Sequence, residues 1–251
     1  MDGADLRERF AEDGFVRLAA GFPVGTAEGM AGAVWAELER RHGIERERRA
    51  TWTVAEPRGL GALRRRGVFD AMGTPEVTAA IGELLGYESW PRPDAWGVPL
   101  VTFPTPGTWD VPVSGWHIDY PARSALMLKW LGYLAPVGEH GGGTVVLAGS
   151  HRLVGRFLDE ADPADAGRSP AVRDAVFGSD PWLQDVLRRG EVSGRVGRLM
   201  RGTMIADVPV RVVELTGWPG DVVFLHPHLF HAPAANRSAA PRLMVTGGLD
   251  G

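Results

Sequence analysis

Trp116–His117–Ile118–Asp119 is the stretch whose reading decides how this sequence folds and what its centre can hold. Side chains alternate along an extended segment, so His117 and Asp119 project to one side and Ile118 to the other, into packing. One imidazole nitrogen and one carboxylate oxygen are thereby offered to a single cation. A third donor is needed, and candidates lie far downstream in His226–Pro227–His228–Leu229–Phe230–His231. Two histidines and one carboxylate on one face of an ion, with other positions open, form the donor set of a non-haem Fe(II) oxygenase.

The segments around this stretch read as short strands. Runs at 97–103, 124–134, 143–148, 210–215, 221–225 and 242–248 are apolar or β-branched and bounded by Gly and Pro. That pattern predicts a mainly β fold with flanking helices, a sandwich or closed jelly roll. Upstream, 4–42 predicts helices interrupted at Gly14 and between Gly21 and Gly25. Thr74–Pro75–Glu76 opens another helix, with Thr as cap and Pro at the first helical position, and Gly86 stops it. The expected organisation is one domain over 1–251. Residues 1–90 form a mostly helical scaffold and 97–150 with 206–249 form the jelly-roll core. The intervening 152–205, with short helices at 170–177 and 181–187, is an insertion or a lid over the site.

Composition narrows the chemistry. With 44% hydrophobic and 23% charged residues the chain is an ordinary globule, and a net charge of -4 predicts no nucleic-acid partner. The absence of cysteine excludes thiolate metal sites, disulfides and a Cys nucleophile. The charged start, Met1 to Phe10, predicts no signal peptide, and no run reaches membrane-span length. The expectation is a cytoplasmic protein acting on a small molecule; oligomeric state is not legible. Lys129 is the only lysine and Asn236 the only asparagine, against a background rich in Arg, Ala, Gly and Pro.

If Arg242 lies on the last strand, it shares a face with Met244 and Thr246, towards the interior. A guanidinium there cannot shed its charge and needs an anion, which a dicarboxylate supplies bidentately. Taken with Trp116-His117-x-Asp119, several further stretches now form a set. They are Gly141–Gly142–Gly143 with Gly149–Ser150–His151–Arg152, then Gly220–Asp221–Val222–Val223–Phe224, and finally His231-x4-Asn236–Arg237–Ser238-x3-Arg242. Together with Phe10–Ala11–Glu12–Asp13–Gly14–Phe15–Val16, in this order and spacing, the set resembles the phytanoyl-CoA dioxygenase family of Fe(II)/2-oxoglutarate oxygenases. Residues 43–66 and 152–205 lack a counterpart, and Ala148 stands where the family typically has Pro.

The resemblance implies a double-stranded β-helix, a cupin-like jelly roll, with Fe(II), 2-oxoglutarate and O2 as cofactors. It makes His117, Asp119 and His231 the metal ligands and has Arg242 hold the distal carboxylate of 2-oxoglutarate. His226 and His228 lack the eleven-residue relation to Arg242; they are expected at the pocket mouth or bonded to backbone. His151 is expected to be a structural turn residue. Trp130 is the expected co-substrate-lining aromatic, and Thr102 a second contact to the same molecule. If Trp130 faces in, alternation turns Lys129 out. Phe103 and Trp109 are the candidates for substrate contact. Because Asp119 is retained where related halogenases carry a small residue, hydroxylation of a small molecule is expected, in the manner of natural-product tailoring. A cupin-like metal-dependent isomerase or small-ligand-binding protein is the alternative; it would not require Arg242 to meet a dicarboxylate. An esterase is set aside: His140–Gly141–Gly142–Gly143 has no Gly-x-Ser-x-Gly elbow to serve.

Overall fold

Gly14, at φ +79°, turns the chain out of α1 (Gly3–Asp13) directly into β1 (Phe15–Leu18). A side chain there would run into the ring of His151, 2.5 Å from a Cβ, so both backbone and space require glycine. Helix α2 (Val24–His42) ends on left-handed Gly43 with Arg40, Arg41 and His42 in its last turn, where positive charge suits the helix dipole. A short α3 (Ala62–Arg65) follows. The expected Thr74–Pro75 start opens α4 (Pro75–Leu85), and left-handed Gly86 closes it. The Thr74 hydroxyl accepts from the Val77 N–H and donates to the Gly21 carbonyl at 2.6 Å, so it caps the helix and ties it to the β1–α2 turn.

The structure is a computed structural model and describes residues 3–87, 89–119, 126–160, 169–190 and 193–250. Its strands are β2 (Val98–Thr102), β3 (Leu126–Tyr133), β4 (Thr144–Ala148), β5 (Thr203–Ile205), β6 (Val208–Glu214), β7 (Val222–Leu225), β8 (His231–Pro233) and β9 (Arg242–Asp250). They form a five-stranded sheet, β1-β7-β3-β9-β2, facing a four-stranded sheet, β5-β6-β4-β8. A bridge between His117 and His231 extends the second sheet by the His-x-Asp segment. These antiparallel sheets with flanking helices are the expected jelly roll.

Three apolar clusters follow from strand alternation. Leu131, Tyr133, Val146, Val223, Leu225 and Met244 meet between the sheets. The opposite face of the large sheet, with Leu128, Trp130, Phe224, Leu243 and Val245, packs on α2 and α4. The outer face of the small sheet, with Val145, Leu147, Val208, Val210 and Val212, is covered by the segment after β4. That segment comprises α5 (Ser150–Glu160), α6 (Ser169–Gly178), α7 (Pro181–Val186) and α8 (Arg195–Arg201). It contributes Val154, Val172, Phe177, Leu183 and Leu199, all buried against the sheet. Among the described residues, 152–205 forms an outer layer and none of it lines the cavity described below.

Two side chains expected at the site belong to the helix-facing cluster instead. Trp130 is fully buried, donates from Nε1 to the Trp96 carbonyl and lies across Gly247, where a Cβ would sit 2.5 Å from the indole. Phe103 packs against Trp35 and Trp52 at ring distances of 5.9 and 5.1 Å. Alternation along β3 holds, but Lys129 takes the cavity face and Trp130 the helix-facing one. A large indole gains most against the helical layer, whereas a lysine facing that layer would be a charge without a partner.

Candidate metal and co-substrate site

The His117–His231 bridge brings the two ends of the motif set together. His117 N–H donates to the His231 carbonyl at 3.0 Å and His231 N–H returns the bond at 3.1 Å, leaving the rings 4.3 Å apart. Asp119 Oδ1 lies 3.4 Å from Nε2 of each ring. Among the described residues this is the one group of such side chains whose donor atoms all fall within 4.8 Å of one another. Ile118 and Trp116 point the other way into the outer core, as alternation requires.

Each ring is oriented by its own strand. His117 Nδ1–H donates to the Gly115 carbonyl at 2.7 Å, and His231 Nδ1–H to the Leu229 carbonyl at 2.9 Å. A carbonyl only accepts, so both Nδ1 atoms carry hydrogen and Nε2 of each ring is the atom turned towards Asp119. Hydrogen bonding to Asp119 pushes the His117 ring up, while burial pulls that of His231 down. Burial opposes ionisation of Asp119. The two imidazoles and the Lys129 ammonium outweigh it and hold its carboxyl well below the usual carboxylate range. A fixed anion between two imidazole nitrogens suits a dication, whose entry releases any proton on Nε2.

The residues flanking the ligands hold this geometry. Gly149, at φ +80°, starts the turn into α5, and Ser150 Oγ accepts the Phe230 N–H at 3.0 Å, one residue before His231. Asn236 Nδ2 donates to the carbonyls of Thr102 and Ala240 at 3.0 and 2.8 Å, clamping the β8–β9 turn onto β2. That clamp places Arg242 opposite Thr102 in the ladder.

These groups face a cavity of about 550 Å³ between the sheets, lined by the triad, Thr102, Lys129, Leu131, Arg242 and Thr246 among others, with residues 56–61 at one side. Arg242 is buried, its Nε has no hydrogen-bond partner, and burial pulls its guanidinium down to about 10 against the opposing influence of Glu56 and Tyr133. It remains a cation at neutral pH. A buried, unpaired guanidinium beside a cluster of metal-type donors fits an anionic co-substrate shared between them. A larger cavity, about 850 Å³, lies by Trp35, Trp52 and Arg46, but it contains none of these donors.

The sequence profile of the phytanoyl-CoA dioxygenase (PhyH) family matches residues 12–244. The chain belongs to the phytanoyl-CoA dioxygenase family. Solved structures with the same fold include the epimerase SnoN in complex with Fe3+, alpha ketoglutarate and nogalamycin RO, at 19% identity and TM-score 0.53, covering 99% of this chain and 83% of that one. AviO1 from Streptomyces viridochromogenes Tue57 gives 17% identity and TM-score 0.56 over 99% and 95% of the two chains. The carbocyclase SnoK from nogalamycin biosynthesis gives 15% and 0.50 over 98% and 83%. No curated protein matches the sequence. As a member of the phytanoyl-CoA dioxygenase family this is a non-haem, Fe(II)- and 2-oxoglutarate-dependent enzyme that also uses O2. Among the described residues no helix is long and apolar enough to cross a membrane.

The remaining expected residues lie elsewhere. Trp109 is buried in the outer core and stacks on His140 at 4.7 Å, so it does not line the cavity; Phe103 is likewise absent from it. His226 and His228 do not line it either. His226 Nδ1 accepts the His228 N–H at 3.1 Å, and its ring meets that of His151, the latter in the first turn of α5 with Nε2 donating to the Ala11 carbonyl. Burial drives the His226 ring down to about 3, with His151 and His228 adding to the effect. The folded pKa thus lies below the unfolded value of about 6.5. Above that pH neither state takes the proton and stability is flat. As pH falls from 6.5 towards 3 only the unfolded chain is protonated, so stability drops, by about 2 kcal/mol at pH 5. Urea unfolding at pH 8 and pH 5 should show a fall in stability in the wild type and a smaller fall in His226→Asn, which keeps an acceptor near the Nδ1 position while the buried His151 and His231 still contribute. An unchanged slope would assign the acid sensitivity to other groups.

Lys129 was missed by alternation from the wrong face. Its Nζ pairs with Asp119 Oδ2 and lies 3.1 Å from His231 Nε2. Residues 56–61, in the stretch without a family counterpart, were missed because a loop carries no periodic signal.

Proposed function

We infer that this enzyme oxidises a small metabolite, with hydroxylation the leading outcome and natural-product tailoring the setting. His117, Asp119 and His231 would hold Fe(II), and Arg242 would pair with the distal carboxylate of 2-oxoglutarate. The observation that carries this reading is the convergence of Asp119 Oδ1 and two Nε2 atoms in one cavity with a buried guanidinium whose Nε has no hydrogen-bond partner among the described residues. When bound, Fe(II) with 2-oxoglutarate and O2 supplies the oxidising equivalent, releasing succinate and CO2.

The protein's share is orientation, charge and exclusion of water. The Gly115 and Leu229 carbonyls keep both Nε2 lone pairs turned inward. Thr102, paired with Arg242 across the ladder, lines the same cavity, and its hydroxyl would be a second contact to 2-oxoglutarate. Leu100, Leu131 and Ala232 give it apolar walls, and exposed Glu56 and Arg58 stand on the loop through which a substrate would enter.

Anaerobic titration of the metal-free protein with Fe(II) and 2-oxoglutarate should raise a visible metal-to-ligand charge-transfer band. Iron binding without that band would favour the cupin-like isomerase or binding protein. SnoN and SnoK are an epimerase and a carbocyclase, so product mass decides the outcome class. Hydroxylation adds an oxygen atom, epimerisation leaves the mass unchanged, and ring closure removes two hydrogens.

A further inference from the structure

Lys129 is the chain's only lysine, and its ammonium lies on the donor atoms themselves. Nζ pairs with Asp119 Oδ2, lies 3.1 Å from His231 Nε2, and the side chain is only 15% exposed. Among the described residues no other Lys or Arg pairs with Asp119. His231 Nδ1–H is committed to the Leu229 carbonyl, so the Nε2 lone pair of the neutral ring is what Lys129 addresses. That same lone pair is what an ion would need.

Residue type matters here. Every other basic residue of this chain is arginine, whose planar fork favours fixed bidentate pairing. Lysine instead carries a compact point charge on a flexible four-carbon stem, which can enter and leave a ligand set without disturbing the strands. Lys129 shares its strand face with Leu131 and Tyr133, which turns its stem to the inter-sheet side.

We propose that Lys129 is a tethered competitor of the metal ion: its ammonium occupies the Asp119–His231 edge of the triad, and metal entry requires it to release His231 Nε2. The proposal rests on the triad reading above. It predicts a sign opposite to that of an orienting partner. Removing a residue that merely orients a ligand lowers metal affinity by roughly 10–100-fold. Removing a competing cation raises it, because the ion no longer displaces an ammonium or faces its repulsion.

The test is a Co(II) titration of the purified full chain without 2-oxoglutarate, followed by d–d absorption and by the thermal shift on metal addition. Wild type, Lys129→Met, Lys129→Gln, Lys129→Arg and Asp119→Ala are compared. The expected result is Co(II) binding at least about tenfold tighter in Lys129→Met and Lys129→Gln, with a larger thermal shift, and weaker binding restored in Lys129→Arg. Two neutral replacements are used so that poor folding of one does not remove the readout. Equal or weaker binding in the neutral variants, with the wild type binding Co(II), would overturn the competitor role while leaving the triad intact. Absence of Co(II) binding in the wild type and every Lys129 variant would instead remove the triad reading, and this proposal with it.

Discussion

Asp119→Ala should abolish metal binding, and 2-oxoglutarate turnover should disappear with it. Asp119 supplies the only carboxylate of the three-residue cluster, and its Oδ1 is the atom equidistant, at 3.4 Å, from both imidazole Nε2 atoms. Without it, two imidazoles and an ammonium face one another and no anion offsets an incoming dication. The loss should exceed the roughly 10–100-fold that follows removal of an outer partner of a ligand. Asp119→Asn, of the same shape but neutral, should be nearly as impaired, because charge as well as geometry holds the ion. His226→Asn should retain full affinity, since that ring lies outside the cluster. Calorimetric or absorption titration with Fe(II) or Co(II) checks all three. Wild-type affinity in Asp119→Ala would sink the assignment of the ligands.

Arg242→Met separates co-substrate binding from metal binding. The guanidinium is buried and its Nε lacks a partner among the described residues, so the folded chain carries a charge that Glu56 and Tyr133 offset only in part and a bound anion would offset further. Two charge-assisted hydrogen bonds to a carboxylate are worth about 3–6 kcal/mol together. Their removal should raise the 2-oxoglutarate requirement by roughly 100-fold or more. Metal affinity measured without 2-oxoglutarate should not fall. The variant should also be as stable as wild type in the absence of ligands, or more so, because a flexible apolar chain replaces an uncompensated cation. A raised requirement together with unchanged or increased stability marks a residue kept for binding. Marked destabilisation with an unchanged requirement would make Arg242 structural.

The sequence by itself determined several of the elements and the neighbourhood of the candidate ligands. Local chemistry wrote the Thr74–Pro75 helix start and its Gly86 stop, because capping and left-handed glycine are properties of a few adjacent residues. Period-2 alternation placed His117 with Asp119 and Arg242 with Met244 and Thr246, because a strand's pleat needs no partner to set it. Family resemblance singled out His231 from three nearby histidines, and the bridge to His117 is the contact that separates it from His226 and His228.

Tertiary structure alone decided which face of each strand looks inward. In β3, Lys129 and Trp130 alternate whatever the fold, yet both faces are flanked by leucines, so the sequence is symmetric to the choice. Gly247 and Trp96 make room for the indole on the helical side, and Asp119 offers the ammonium its anion on the other. The same holds for Phe103, claimed by Trp35 and Trp52, and for 152–205, whose apolar residues cover the small sheet rather than the site. Packing partners distant in sequence choose between faces that local pattern leaves equivalent, because burial and charge pairing exist only once those partners meet.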